Sequence, residues 1–192
     1  MKTLSRHALV LSMSSALIFA STALAADVDQ IFLRLKAGPQ FFSSLDPVSS
    51  SVALGIDIGF RAVNGFGVSG VARYGLSGDS TKSDSSGHYT YASATTRFLG
   101  VAPTYSVVKG AGTLSFGLGL GSYAISTNAW TNANSFRTTT STSRLAIAPE
   151  FQIDIALGAA VALNIGAQYI IALGNSPHYG EFTPMIGLGF QF

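Results

Sequence analysis

Residues 182–192 read FTPMIGLGFQF, and the reading of this stretch decides the fold. Phe182, Pro184, Ile186, Leu188, Phe190 and Phe192 take every second position, while Thr183, Met185, Gly187, Gly189 and Gln191 between them are mostly small or polar. A repeat of two is the period of a strand with one apolar face. Chain ends usually fray in water, so a soluble protein has little reason to finish on its most apolar strand. A strand that closes a barrel in lipid meets no such water.

The same alternation recurs toward the N-terminus. Arg144 to Leu157 sets Leu145, Ile147, Pro149, Phe151, Ile153 and Ile155 against Arg144, Ala146, Ala148, Glu150, Gln152 and Asp154. Val161 to Ile171 sets Val161, Leu163, Ile165, Ala167, Tyr169 and Ile171 against Ala162, Asn164, Gly166 and Gln168. Strands are likewise predicted over 31–41, 52–61 and 66–76, near 98–108, and from Leu114 onward through Phe116, Leu118 and Leu120. Membrane strands need about 9–11 residues, so 89–96 is expected to extend its hairpin above the bilayer. Arg97, which shares the lipid-facing parity of Leu99, is then expected at or above the outer interface.

Asn64-Gly65, 109–112 and the neighbourhood of Gly158 read as tight turns, the first through the positive φ that Asn-Gly accepts. Between the other strands lie longer polar connections: 42–51, the loop SGDSTKSDSSGH at 77–88, the Thr-, Ser- and Asn-rich 125–143, and 173–180. The expectation is therefore all-β: an eight-stranded antiparallel up-and-down transmembrane β-barrel with long loops outside and short turns inside. Only closure removes the edges that hydrocarbon cannot tolerate.

Residues 1–25 carry Lys2 and Arg6, an apolar run from Ala8 to Ala20 and the small-residue end Ala23-Leu24-Ala25, the pattern of a secretory signal peptide. Residues 26–192 form the expected barrel domain. Removing Lys2 and Arg6 from 11 basic residues leaves 9, matching the 9 acidic ones, so the exported chain is formally neutral and no nucleic-acid partner is expected. Only 10% of residues are charged and mean hydropathy is +0.39, yet after residue 25 no apolar run approaches about 18 residues. Alternation spreads that hydrophobicity. Zero cysteines exclude a disulfide scaffold and a thiolate metal site.

A soluble eight-stranded barrel would need a densely charged outer face. Here the polar face is mostly Gly, Ala, Ser and Thr, which suits the narrow interior of a small barrel. Phe60, Phe66, Tyr105, Phe190 and Phe192 toward one end, and Phe41, Tyr74 and Tyr169 toward the other, suit interfacial girdles.

Taken together, the leader, the strand count, the loop asymmetry and the terminal Phe resemble the small eight-stranded bacterial outer-membrane barrels of the OmpX/Ail and OmpA-transmembrane-domain type. The resemblance implies an outer-membrane location. It also implies that Ile186, Leu188, Phe190 and Phe192 form the signal read by the barrel-assembly machinery. Outer-membrane lipid and lipopolysaccharide are the expected surroundings, and a monomer the expected state.

Arg34, Lys36, Asp57, Arg61, Arg73, Arg144, Glu150, Asp154 and Glu181 share the inward parity. Confined charges must pair or stay hydrated, so they read as a lumen network, with Lys36 and Asp57 as expected neighbours. The network is either a structural plug or the gate of a narrow porin-like channel. Loops carry function on rigid scaffolds, and Trp130 and Phe136 in the third loop are candidate contacts for an extracellular ligand. Ser176, His178 and Glu181 in the last loop, and Asp84, Ser86 and His88 in the second, carry residue types that lipid A-modifying barrel enzymes use, but no matching motif surrounds either set. No catalytic residue, cofactor or metal site is assigned.

Overall fold

Alternating apolar residues and β-branched side chains favour extended backbone, and the described residues are strand almost throughout. The computed structural model describes residues 28–43, 50–77, 80–83, 89–131, 134–174 and 179–192, with backbone alone at 28–29, 50, 80, 82–83, 89–90, 131 and 134–137. The leader assigned to residues 1–25 lies outside the described residues. The strands are β1 (Val28–Phe42), β2 (Ser50–Ala62), β3 (Phe66–Leu76), β4 (Ser80–Ser83), β5 (Tyr89–Lys109), β6 (Gly112–Thr131), β7 (Asn134–Ala156), β8 (Val161–Ala172) and β9 (Gly180–Gln191).

Each long strand pairs antiparallel with its neighbours in sequence, β3 pairs with β5, and β1 pairs with β9. The sheet thus returns on itself as a closed eight-stranded barrel, with β4 hanging outside the ring on β5. At the closing seam the Phe192 amide donates to the Ile31 carbonyl at 2.9 Å, and the Ile31 amide returns the bond at 3.1 Å. The β1–β9 ladder runs from Phe32↔Gln191 to Ala37↔Ile186 and resumes at Phe41↔Phe182. Within the gap, that register sets Pro39 against Pro184, neither of which has an N–H to give. Pairing also skips Pro103 between β5 and β6 and Pro149 between β7 and β8. Pro103 therefore loosens β5 without ending it.

Side-chain parity runs opposite to that of a soluble protein. On β2, Val52, Leu54, Ile56 and Ile58 are exposed, whereas Ala53 and Asp57 are buried inside. Outward apolar rows continue through Leu35 on β1, Leu99 on β5, Leu118 on β6, Leu145 on β7 and Leu188 on β9. An apolar exterior around a polar interior, with the backbone paired around the full circle, is the arrangement hydrocarbon demands. Toward the inner end, where the short turns lie, Phe66 packs on Tyr105 with ring centroids 5.1 Å apart and Phe116 on Phe151 at 5.4 Å. The Asn64-Gly65 turn forms as its sequence predicts: Gly65 has φ +86°, and the Asn64 side-chain oxygen accepts from the Phe66 amide at 3.1 Å.

The connections differ from expectation in two places. Ser80–Ser83, inside the polar stretch 77–88, forms β4 and pairs from Ser80↔Ala92 to Ser83↔Tyr89. Most of 125–143 is strand as well: β6 continues to Thr131, β7 begins at Asn134, and the ladder runs through Thr127↔Thr140 to Ala129↔Thr138. Thr tolerates extended backbone well, and a cross-strand partner completes the ladder that composition alone hides.

Candidate functional site

The lumen is layered. Toward the inner end the Ser106 and Ser115 hydroxyls lie 2.9 Å apart, and Arg61 reaches the Thr113 hydroxyl at 3.4 Å. Above them Arg34 forks onto Asp154, Nη2 to Oδ2 at 2.5 Å and Nε to Oδ1 at 3.2 Å, while its guanidinium lies 4.0 Å over the Phe32 ring. Two parallel donors on one carboxylate fix orientation as well as charge. Asn164 donates to the same Asp154 at 2.7 Å and to Gln152 at 3.3 Å.

The next layer is a neutral quartet. Lys36 Nζ and Arg73 Nη1 both bind Asp57, the latter at 2.6 Å, and Arg73 Nη2 lies 3.8 Å from Glu150. Gln152 donates to Asp57 at 3.3 Å and Gln168 to Glu150 at 3.2 Å. Four strands contribute these charges, β1, β2, β3 and β7, and Asp57 is fully buried. Such a set is tolerable only because every charge faces an opposite one.

Outward of the quartet the lumen turns apolar. On β8, Gln168 is followed by Ile170 and Ala172; on β7, Glu150 is followed by Ala148 and Ala146. Ile170 and Phe98, each 1% exposed, pack there with Val71, Tyr123 and Ile125. This layer fills the barrel above the charges, as the small bore of eight strands allows. At its outer edge the Tyr123 hydroxyl donates to Glu181 at 2.9 Å, and Gln40 donates to Thr96 at 2.7 Å.

Of the nine inward charges, Lys36, Asp57, Arg73 and Glu150 are brought into one cluster and Arg34 and Asp154 into a pair. Arg61 lies toward the inner end. Arg144 does not join them: it is half-buried at the outer end, its guanidinium 5.2 Å over the Tyr179 ring. It sits beyond Ala146 and Ala148 on β7, so the apolar layer separates it from the quartet. Glu181 is held by the Tyr123 and Thr183 hydroxyls inside the barrel and points away from the loop chemistry considered for it. Ser176, His178, Asp84, Ser86 and His88 lie outside the described residues.

Sequence reasoning missed the neutral members of the network. Gln152, Asn164 and Gln168 share the parity of the charges, which is the signal that could have found them. Gly55 and Gly117 are less legible: a Cβ at Gly55 would stand 2.8 Å from Arg73 Nη1, and one at Gly117 2.7 Å from Glu150 Oε1. These glycines leave the space the charged side chains occupy.

The outer end carries the second candidate surface. β8 pairs with β7 only from Ala146 to Ala156, and the Leu173 amide closes that ladder on the Leu145 carbonyl at 2.7 Å. From 134 to 144, β7 pairs with β6 on one side, and no described strand pairs with it on the other. The upper parts of β5, β6 and β7, with β4, thus make a sheet above the ring whose β7 edge meets no other strand among the described residues. On that sheet Trp130 is half-buried and stacks on Tyr91, centroids 5.5 Å apart and planes 9° from parallel. The Phe136 side chain lies outside what is described.

An apolar exterior, a filled polar lumen and an outer sheet define a membrane-type eight-stranded barrel. No protein-family model and no curated protein matches the sequence. The fold does match solved structures. Neisserial surface protein A superposes with a TM-score of 0.57 at 14% identity, over 84% of this chain and 97% of that one. Ail, the attachment invasion locus protein of Yersinia pestis, solved with the heparin analogue sucrose octasulfate, gives 0.57 at 12% identity, over 86% and 99%. A major outer membrane protein from Thermus thermophilus gives 0.57 at 10% identity, over 84% and 99%. At these identities the likeness is one of fold, and the fold is that of outer-membrane β-barrels.

Proposed function

We propose that this chain is an integral outer-membrane protein whose barrel is a plugged anchor and whose outer sheet is a surface for extracellular partners. The observation that carries this reading is the continuation of β5, β6 and β7 past the ring, where 134–144 of β7 has no partner strand on its far edge among the described residues. An open edge offers unpaired backbone donors and acceptors to an extended partner segment. The exposed Thr138, Thr139, Thr140 and Ser141 add hydroxyls without charge. Ail was crystallised with a sulfated heparin analogue. A polyanion needs dense cations, whereas 122–145 here contains only Arg137 and Arg144; an extended peptide suits this edge better.

Export through cleavage after Ala25 and reading of Ile186, Leu188, Phe190 and Phe192 by the barrel-assembly machinery complete the proposal, with the barrel acting as a monomer. Ile186, Leu188 and Phe192 are exposed on the lipid-facing side of the closing strand, where such machinery could reach them. The test replaces 128–139 with an Asn-Gly turn and compares adhesion of cells displaying each protein to an epithelial layer. Trimming should abolish adhesion while the heat-shifted gel band of the folded barrel persists; undiminished adhesion would contradict the reading.

A second reading, a narrow channel, draws on Arg73, which sits between Asp57 and Glu150 and whose buried Nε and Nη2 make no hydrogen bond. Exchange of Arg73 between the two carboxylates could loosen the quartet. The apolar layer of Phe98 and Ile170 would still block the path. The plugged anchor is therefore the reading the geometry supports best.

A further inference from the structure

Arg97 breaks the outward pattern of β5. It follows the lipid-facing parity of Leu99, which is 70% exposed, yet carries a full charge. The paired strands show where it stands. On β6 the outward row changes from Leu120 to Ser122, and on β7 from Leu145 to Ser143, with Leu99, Ser122 and Leu145 in register. Toward β6 and β7, Arg97 is therefore the first outward residue of β5 beyond the apolar row, while on β3 that row runs on through Tyr74 opposite Arg97 and Leu76 opposite Thr95. Arg97 thus stands at the outer margin of the apolar band, where acyl chains give way to headgroups.

A cavity of about 270 Å³ opens there on the outer wall, lined by Tyr74, Thr95, Arg97, Ser126 and Ser141 among others. No acidic residue lines it. Arg97 has no carboxylate partner among the described residues; its guanidinium lies 5.5 Å from the Tyr74 ring centroid. The aromatic face holds the cation in place while its forked N–H donors stay available. A guanidinium fork matches a phosphate bidentately, and the Thr95, Ser126 and Ser141 hydroxyls suit the polyol around it. Directly below, Leu99, Leu120 and Leu145 offer an apolar wall to acyl chains.

We infer that this cavity binds the headgroup of a phosphorylated glycolipid of the outer leaflet, with Arg97 on the phosphate, the hydroxyls on the sugar and the acyl chains along the apolar band. The inference rests on the membrane reading above. The site would fix the barrel's rotation and depth among outer-leaflet lipids and brace the base of the outer sheet.

The test uses full-length exported protein, wild type, Arg97→Ala and Arg97→Lys, refolded into phosphatidylcholine vesicles. Each is titrated with a fluorescent bisphosphorylated, acylated glucosamine disaccharide and with its dephosphorylated form. Wild type should bind the phosphorylated lipid at least about tenfold more tightly than Arg97→Ala, the size expected for losing one charge-assisted pair. Arg97→Lys should fall between them, because a point charge keeps attraction but loses the fork. Binding of the dephosphorylated lipid should be the same for all three. Inorganic phosphate at millimolar concentration should not compete. Equal binding by wild type and Arg97→Ala would overturn the site, and full competition by inorganic phosphate would make it a free-oxyanion site instead. If the wild type fails to enter vesicles with a heat-shifted band, the membrane reading falls and takes this inference with it.

Discussion

The lower and upper parts of β5, β6 and β7 are the same three strands under two different constraints. In the lower part β3 and β8 complete the ladders, the outward side chains are apolar, and the inward ones interlock across the lumen. In the upper part the outward positions are mostly Ser, Thr and Asn, with Arg97 and the Tyr91–Trp130 stack among them, and the far edge of β7 has no described partner strand. The lower part is fixed by closure and solvent: any slip in register would turn charges into lipid. The upper part is held by cross-strand pairing, a small cluster of Ala92 and Ala94 against Phe42, and the Tyr91–Trp130 stack; on the proposed reading its outward side chains serve a partner. On that reading, stability and function are divided along the length of single strands.

The sharpest way to break this division is inside the lower part. Asp57→Ala would leave Lys36 and Arg73 facing each other without their shared carboxylate. Losing one partner of a buried charge set costs about 3–5 kcal/mol, to be read from urea unfolding in vesicles; a loss below about 1 kcal/mol would mean the quartet is well hydrated. Next comes Gly117→Leu. Its side chain would collide with Glu150, which cannot swing away without leaving Arg73 and Gln168. Overpacking of this kind costs about 1–3 kcal/mol, and the same unfolding curves should show it.

Replacing 128–139 with an Asn-Gly turn should change barrel stability by less than about 1 kcal/mol, because the cut removes no lumen contact and leaves Thr127 and Thr140 paired. A larger loss would show that the outer sheet also supports the ring. Smallest of all, Thr140→Lys on the open edge should stay within about 0.5 kcal/mol in stability, as exposed substitutions do, yet weaken adhesion, because a charged edge resists strand addition. Unchanged adhesion would move the contact surface away from β7.

The same division explains what the sequence made legible. Where lipid and lumen impose opposite polarities on alternate residues, as in Val52 to Arg61 or Arg144 to Leu157, the period of two is written plainly and gives the strands and their faces. From Ser126 to Ser143, Ser, Thr and Asn fill both parities, no apolar row marks one face, and the strands depend on a partner across the hairpin. The charged set was legible by parity. Its division was not: whether an inward residue meets the quartet depends on depth in a tilted sheet, which separates Arg144 from Glu150 though both lie on β7. The roles of Gly55 and Gly117 are invisible in sequence, because they consist of space left for side chains on neighbouring strands.

The central claim is that the barrel is closed from within, by the charge quartet and by Phe98 and Ile170 above it. Planar-bilayer recording of refolded wild-type protein, after a heated-versus-unheated gel shift has shown a folded barrel, tests it most directly. Silence from folded protein is the expected result. Discrete, reproducible openings that change with Arg73→Ala or Phe98→Ala would contradict the plug and make the lumen the working site.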